Sequence, residues 1–591
     1  MTYRFGRLLL AFAFVGMIAS GSRGTEPTSA KEATPKTKPV TREEAAARTI
    51  EKAKALLKQL ANPKLKPTRM EMVAMHDGVE LATDLYLPTK GTPPFPTLYA
   101  ATPYGKLGGR DYAKVFTEKG YAFVCQDMRG RFQSKGEDAI IFQHNGWGEQ
   151  RDGQETIEWI VRQPWSNGIV GMIGGSALGI TQNMTAPHAP DNFRAQVVEV
   201  AFSNMYRQCT FQGGVWRKEL MEGWLAATNL SKRNIETFFA HPNEDSFWEG
   251  LNPEAQAEGV NTPGIFVGGW YDIFLQGSIH SFVTIQSHGG LRARGNCRLI
   301  LGPWAHGTFE ELKYPENSGR HHVPAADALR FYDHWLKGAD NGVDKDLPVH
   351  YYVMGDTTDP KAPGNQWRAA EHWPPPADQT PIYCHADGTL SWEAPTEEKA
   401  ERSYRYDPRD PVPTVGGQNL LLPKGPMDQR KVEDRPDVLL FTTDTLTEPL
   451  EITGPIVAKL FVTSDAPDTD FTVKLTDIYP DGRSMLVTDG ILRARHRVSL
   501  AREDFMKPGE IYEIHVDLWS TSLVLNAGHR LRIAISSSNH PRFDPNPNTG
   551  RPFRADKETR IANNTILLSK QHPSSVLLPV CRSETADQPK P

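Results

Sequence analysis

The chain is patterned in two different ways. Between residues 95 and 305, short apolar runs of strand length recur, separated by stretches of helical periodicity. Residues 97–100 and 121–125 are continuous apolar strands, and residues 111–118 between them read as a short helix ended by Gly120. Residues 147–162 carry Ile157, Ile160 and Val161 at helical spacing, ahead of a strand at 169–173. Further strands fall at 194–200, 264–269 and 298–302, and residues 325–337 form a helix with Ala328, Leu329, Tyr332 and Leu336 on one stripe. Strands alternating with helices predict right-handed crossovers and a largely parallel sheet.

The pattern breaks at residues 201–258, where Phe202, Tyr206, Phe211, Trp216, Trp224, Phe238, Phe239, Phe247 and Trp248 stand among helical and polar stretches. This insertion reads as a helical cap, its rings divided between an acyl pocket and the cap's own core. From residue 346 the chain becomes short β-rich runs at 349–353, 438–442, 456–462, 511–516 and 530–535, punctuated by Gly, Pro and Asp, which indicates a sandwich. The expected division is a leader at 1–24, a linker and helix at 25–65, an α/β domain at 66–345 and an all-β domain at 346–585.

Composition adds to this. At 591 residues the chain exceeds the size at which one core stops growing. A net charge of −5 without a basic stripe argues against nucleic acid, and no internal apolar stretch is long enough to span a membrane. Arg4 and Arg7 precede the apolar residues 8–19 and the small residues Ser20, Gly21 and Ser22, the pattern of a secretory signal peptide cleaved near 21–24, so a secreted or periplasmic location is expected. Residues 25–38 are rich in Pro, Thr and Lys and read as disordered; Thr41-Arg42-Glu43-Glu44 then opens a helix as a capping box. Five cysteines lie far apart, an odd count that leaves at least one thiol unpaired within the chain. No metal or cofactor site is indicated: His321 and His322 are adjacent rather than at ligand spacing, and Asp465, Asp468 and Asp470 read as a solvated turn. Homo-oligomerisation stays open.

The candidate chemistry sits at strand ends. Gly174-Gly175-Ser176-Ala177-Leu178-Gly179 follows an apolar strand and precedes a helical stretch, the setting of a nucleophile elbow, although Leu178 stands where G-x-S-x-G has its second glycine. Asp272 follows the strand at 264–269, and His306 follows the strand at 298–302. Ser, Asp and His in that order, each past the end of an apolar run, have the order and placement of an α/β-hydrolase triad. A serine hydroxyl needs a neutral imidazole to take its proton, and the imidazole needs a carboxylate to hold its tautomer.

With these motifs in place the chain resembles the CocE/NonD hydrolases, which include cocaine esterase-like enzymes, X-Pro dipeptidyl-peptidases, cephalosporin acylases and α-amino acid ester hydrolases. The resemblance covers residues 70–580 and rests on a series in one order. It runs from Asp77-Gly78-Val79 through Thr102-Pro103-Tyr104-Gly105-Lys106, Gln126-Asp127-Met128-Arg129-Gly130-Arg131 and Gln163-Pro164-Trp165-Ser166-Asn167-Gly168. It ends with Gly268-Gly269-Trp270-Tyr271-Asp272 and Gly302-Pro303-Trp304-Ala305-His306. It implies an α/β-hydrolase domain with an inserted helical cap and a C-terminal jelly roll. It also implies Ser176 as nucleophile, His306 as base, Asp272 as its carboxylate, and an oxyanion hole formed by Tyr104 and the Ala177 N–H. Trp216, Trp224, Trp270 and Tyr271 are the candidate pocket residues.

The expectation is an exported serine hydrolase that cleaves esters or amides of a small-molecule or peptide substrate without a cofactor. A dipeptidyl-peptidase must hold a free α-ammonium and so favours pocket carboxylates. Here Ile273, Phe274 and Leu275 follow Asp272, yet Glu219, Glu222, Glu236 and Glu244 of the insertion keep an X-Pro dipeptidyl-peptidase as the alternative. A carbohydrate- or ligand-binding protein with an inactive hydrolase domain is the alternative of another class.

Overall fold

The computed structural model describes residues 65–309 and 311–581. The expected leader, linker and N-terminal helix lie outside them. The scaffold is a ten-stranded sheet in which apolar strands are covered on both faces, as a parallel arrangement requires. Its strands are β1 (Arg69–Ala74), β2 (Glu80–Tyr86), β3 (Phe95–Thr102), β4 (Ala122–Asp127), β5 (Ser166–Gly175) and β6 (Phe193–Glu199). They continue with β7 (Gly264–Tyr271), β8 (Arg298–Ala305), β9 (Val349–Val353) and β10 (Gln366–Ala370). The spatial order is β1-β2-β4-β3-β5-β6-β7-β8-β9-β10. From β4 to β9 neighbours are parallel, while β1, β2 and β10 are added antiparallel at the edges. The helices among these strands are α1 (Arg110–Thr117), α2 (Asp152–Val161) and α3 (Ala177–Thr185).

Two boundaries differ from the sequence reading. The 349–353 run, expected to open the β domain, pairs parallel with β8 and closes the main sheet together with β10, because its Val349, Tyr351, Tyr352 and Val353 find a buried partner there. The helix expected from Trp147 begins only at Asp152, since the preceding residues are bends. The insertion after β6 contains α4 (Lys218–Thr228) and α5 (Lys232–Ala240), followed by 3₁₀ turns to Gly259. The main sheet then resumes with β7, α6 (Leu275–His288), β8 and α7 (Ala328–Lys337).

The C-terminal region holds an eight-stranded and a four-stranded sheet, both antiparallel. Along Tyr512–Leu525 the buried Ile514, Val516 and Leu518 alternate with exposed residues, the period-2 pattern that lets one face join the core. Residues from the two sheets, such as Leu460 and Ile566 from one and Val473 and Ile533 from the other, share a single apolar cluster. Of the three acids in the turn at Asp465–Asp470 only Asp465 keeps contact with solvent; Asp468 and Asp470 are 0% and 1% exposed. Arg493 grips Asp470 with two bonds of 2.9 and 3.0 Å, Arg495 Nε donates to Asp468 at 2.8 Å, and Asn546 donates to both carboxylates. The acids read as a surface turn because their cationic partners lie some 25 residues downstream.

Removing one member of such a pair strands a buried charge. Arg493→Met is expected to lower stability by ~3–5 kcal/mol, measured as an earlier guanidinium unfolding midpoint with a single-domain probe on the β region.

Candidate functional site

The chain turns sharply at Ser176 because the residues around it permit two backbones to meet. Ser176 has φ 55 and ψ −126, a sparsely populated conformation that persists only where packing over-determines it. A Cβ on Gly174 would lie 2.4 Å from Leu178 Cβ, and one on Gly179 would lie 2.9 Å from Ala201 Cβ and the Glu199 carbonyl oxygen. Leu178 therefore fills the place left open by Gly174, and the glycine that brings α3 against β6 stands one position later than G-x-S-x-G has it. The Ser176 N–H donates to the Glu199 carbonyl at 2.9 Å.

The structure brings Ser176, Asp272 and His306 together. Ser176 Oγ is 3.0 Å from His306 Nε2, and His306 Nδ1 is 2.8 Å from Asp272 Oδ2. An ionised carboxylate only accepts, so Nδ1 carries the proton and Nε2 faces the serine as an acceptor. Asp272 and His306 are 0% and 1% exposed; Asp272 Oδ1 also accepts the Phe274 N–H at 2.7 Å, and the Phe274 ring stands edge-on to the imidazole. Tyr104 and Ala177 join the same point. Trp224 Nε1 donates to the Tyr104 hydroxyl at 3.0 Å, and that hydroxyl is also bonded to the Ser176 side chain; burial pushes the phenol up to about 12. A phenol that accepts from an indole and keeps its own proton still has one hydrogen bond to give. Ala177 opens α3, so its N–H is among those without an intrahelical partner.

Beside Ser176 lies a small, partly open cleft. Trp224, stacked on Phe142, forms one wall with Leu220 and Met221 of α4; Ile273 and Phe274 follow Asp272, and Leu420 reaches in from the β domain. Cys209 also lines it, its thiol pushed up to about 12 by burial, which keeps it from acting as a thiolate. All five cysteines are free.

Of the four candidate pocket residues, only Trp224 lines the cleft. Trp216 is wholly buried among Phe211, Phe239 and Phe553 and donates to Glu222, so it belongs to the joint between cap and β domain. Trp270 and Tyr271 do not line the cleft and find partners elsewhere, Trp270 donating to the Tyr352 carbonyl and Tyr271 to the Leu486 carbonyl. Three of the four glutamates are spoken for: Glu219 accepts backbone N–H groups of residues 420–422, Glu222 pairs with Lys218 and Arg554, and Glu244 pairs with Arg207, while Glu236 lies exposed on α5 and does not line the cleft. Among the described residues no carboxylate lines the cleft and no group of three or more His, Cys, Asp and Glu could hold a metal ion. Phe274 and the Leu220, Met221, Trp224 face of α4 were open to reading from spacing. Phe142, held at φ 72, and Leu420, 244 residues beyond Ser176, had no local signal.

Residues 77–235 and 226–308 match the X-Pro dipeptidyl-peptidase (S15 family) domain, and residues 341–577 match the X-Pro dipeptidyl-peptidase C-terminal non-catalytic domain. The chain is 33% identical over 582 residues to a cocaine esterase of Rhodococcus sp. (strain MB1 Bresler), covering 86% of this chain and 98% of that one. It is 21% identical over 476 residues to a putative Xaa-Pro dipeptidyl-peptidase of Bacillus cereus, covering 75% of each. Among solved structures, an α-amino acid ester hydrolase is 25% identical with a TM-score of 0.73, covering 87% of this chain and 96% of that one.

Trp224→Ala is expected to change the preference among acyl groups with the protein still folded. Trp216→Ala is expected to lower stability by ~3–5 kcal/mol and leave that preference as it was; kcat/KM across an acyl-chain series together with thermal unfolding checks both.

Proposed function

This chain belongs to the X-Pro dipeptidyl-peptidase (S15) family of serine hydrolases, which it shares with cocaine esterase, and from that premise we propose that it cleaves esters or amides of apolar, uncharged acyl groups through an acyl-enzyme. The observation that carries this reading is the hydrogen-bonded run from Asp272 through His306 to Ser176 at the side of a cleft that no carboxylate lines among the described residues. Ser176 Oγ attacks the acyl carbonyl as His306 Nε2 takes its proton. The oxyanion accepts from the Tyr104 hydroxyl and the Ala177 N–H, and a donor so aimed contributes typically ~2.7–4 kcal/mol. The imidazolium then gives its proton to the leaving alcohol or amine, and water activated by His306 releases the acid. Asp272 stabilises the imidazolium throughout.

Cleft chemistry favours an apolar acyl group over a dipeptide. The α-ammonium of a dipeptidyl substrate would enter a space walled by Phe142, Ile180, Leu220, Met221, Trp224 and Phe274 without a counter-charge. The N-terminal arginines and the apolar run at 8–19 support export, so the hydrolase is placed outside the cytoplasm. Mass spectrometry of protein from a secreting host is expected to give a mature N-terminus at residues 21–25; an intact Met1 retained in the cytoplasm overturns this placement.

Fluorophosphonate is expected to label the wild-type protein and not Ser176→Ala. In a panel of an aryl ester, an acyl amide and an X-Pro dipeptide anilide, the aryl ester is expected to turn over fastest. Tyr104→Phe is expected to lower kcat by about 10²–10³. Efficient turnover of the dipeptide anilide with inactivity on the ester sinks the acyl-ester reading, and a well-folded protein that takes no label sinks the hydrolytic one.

A further inference from the structure

Two buried cations flank the triad, and among the described residues neither is ion-paired. Arg217 of the cap is 1% exposed; it donates to the Gln208 carbonyl and, at 3.0 Å, to the carbonyl of Ile273, the residue after Asp272. Its guanidinium lies 5.5 Å from the Trp519 ring of the β domain. Lys424, from the β domain, is 7% exposed, and its Nζ donates to the His306 carbonyl at 3.1 Å and to the Leu420 carbonyl at 2.6 Å. A buried ammonium with carbonyls alone for partners is held against its desolvation only where carboxylates stand near. Burial works to discharge Lys424, while the Glu219 and Asp272 carboxylates, in that order, work to keep its proton. Burial and the neighbouring Arg542 cation work to discharge Arg217, and the same two carboxylates oppose them.

The arrangement is a set of four charges, two of each sign, gathered from three parts of the chain: Asp272 from the catalytic sheet, Arg217 and Glu219 from the cap, and Lys424 from the β domain. Glu219 anchors the far side by accepting the N–H groups of Leu420, Leu421 and Leu422. The segment that carries Lys424 to His306 therefore also delivers Leu420 to the cleft. The groups facing the imidazole are Asp272 and Phe274 from the turn after β7, Ser176 from the turn before α3, and Lys424 behind its carbonyl. Glu219 and Arg217 stand one contact further out, and Tyr104 reaches Ser176.

Resting on the triad reading above, we propose that Lys424 is a positioning residue for His306. It is a cation supplied by the β domain that fixes the loop bearing the imidazole and biases the Asp272–His306 pair toward neutral imidazole and ionised carboxylate, with Glu219 as its counter-charge. Lys424 thus bears on the chemistry from the C-terminal region without itself touching substrate, beside the wall that Leu420 contributes.

The test uses the full chain, with Lys424→Met, Lys424→Arg and Glu219→Gln assayed for aryl-ester turnover and fluorophosphonate labelling from acid to neutral pH. Loss of the cation is expected to lower kcat by about 10- to 100-fold with KM within about twofold, and to move the acidic limb of the kcat/KM profile to higher pH by about half to one unit. Glu219→Gln keeps the lysine and removes the opposing charge, so its limb is expected to move to lower pH; Lys424→Arg is expected to restore the wild-type limb. Loosening of the loop alone does not give opposite signs. Folded Lys424→Met with unchanged kcat and limb, or both neutral variants shifting the same way, overturns the proposal. If Lys424→Met does not fold, an unmoved limb in Glu219→Gln overturns it. Wild-type protein that takes no label removes the triad reading itself, whereas labelled wild type with an unperturbed lysine variant removes only this proposal.

Discussion

Everything in this molecule is arranged around one carboxylate that water cannot reach. Asp272 has no exposed surface, and an ionised acid in that position survives only with hydrogen bonds and nearby positive charge. The Phe274 N–H, His306 Nδ1 and the two flanking cations meet that demand. Because the partners come from distant segments, the demand is met only in the folded whole. The sheet fixes the ends of β7 and β8 side by side, the cap contributes Arg217 and the β domain contributes Lys424.

The same closure explains the distribution of aromatic rings. Those facing the serine, Phe142, Trp224 and Phe274, make a dry wall. Those behind, Phe211, Trp216, Phe239 and Phe553, join the cap to the β domain, with Arg554 laid over Phe239 and bonded to Asp544. The cap is thus held on two sides, by ring packing at one end and by the Glu219 contacts with residues 420–422 at the other.

Much of this was legible in the sequence, for physical reasons. Parallel strands buried on both faces are continuous apolar runs, so β3, β4, β5 and β8 stand out, and the candidate catalytic side chains sit at strand ends where the motifs are local. Illegible features were those set by contacts between segments far apart. The 349–353 run has the composition of any buried strand, and nothing nearby shows that it pairs with β8 rather than with the β domain. Trp216 and Trp224 lie on adjoining elements with similar surroundings in sequence, yet one faces the cleft and the other Phe553, a partner more than 300 residues away. Asp468 and Asp470 look solvated until Arg493 and Arg495 fold back onto them.

The reach of Leu420 and Lys424 into the centre also sets an order in time. A ribosome delivers Ser176 first, then Asp272 and His306, and only more than a hundred residues later the segment that completes the cleft. A chain that stops short of it carries Ser176, Asp272 and His306 with an unfinished wall and without one of the two cations that flank Asp272.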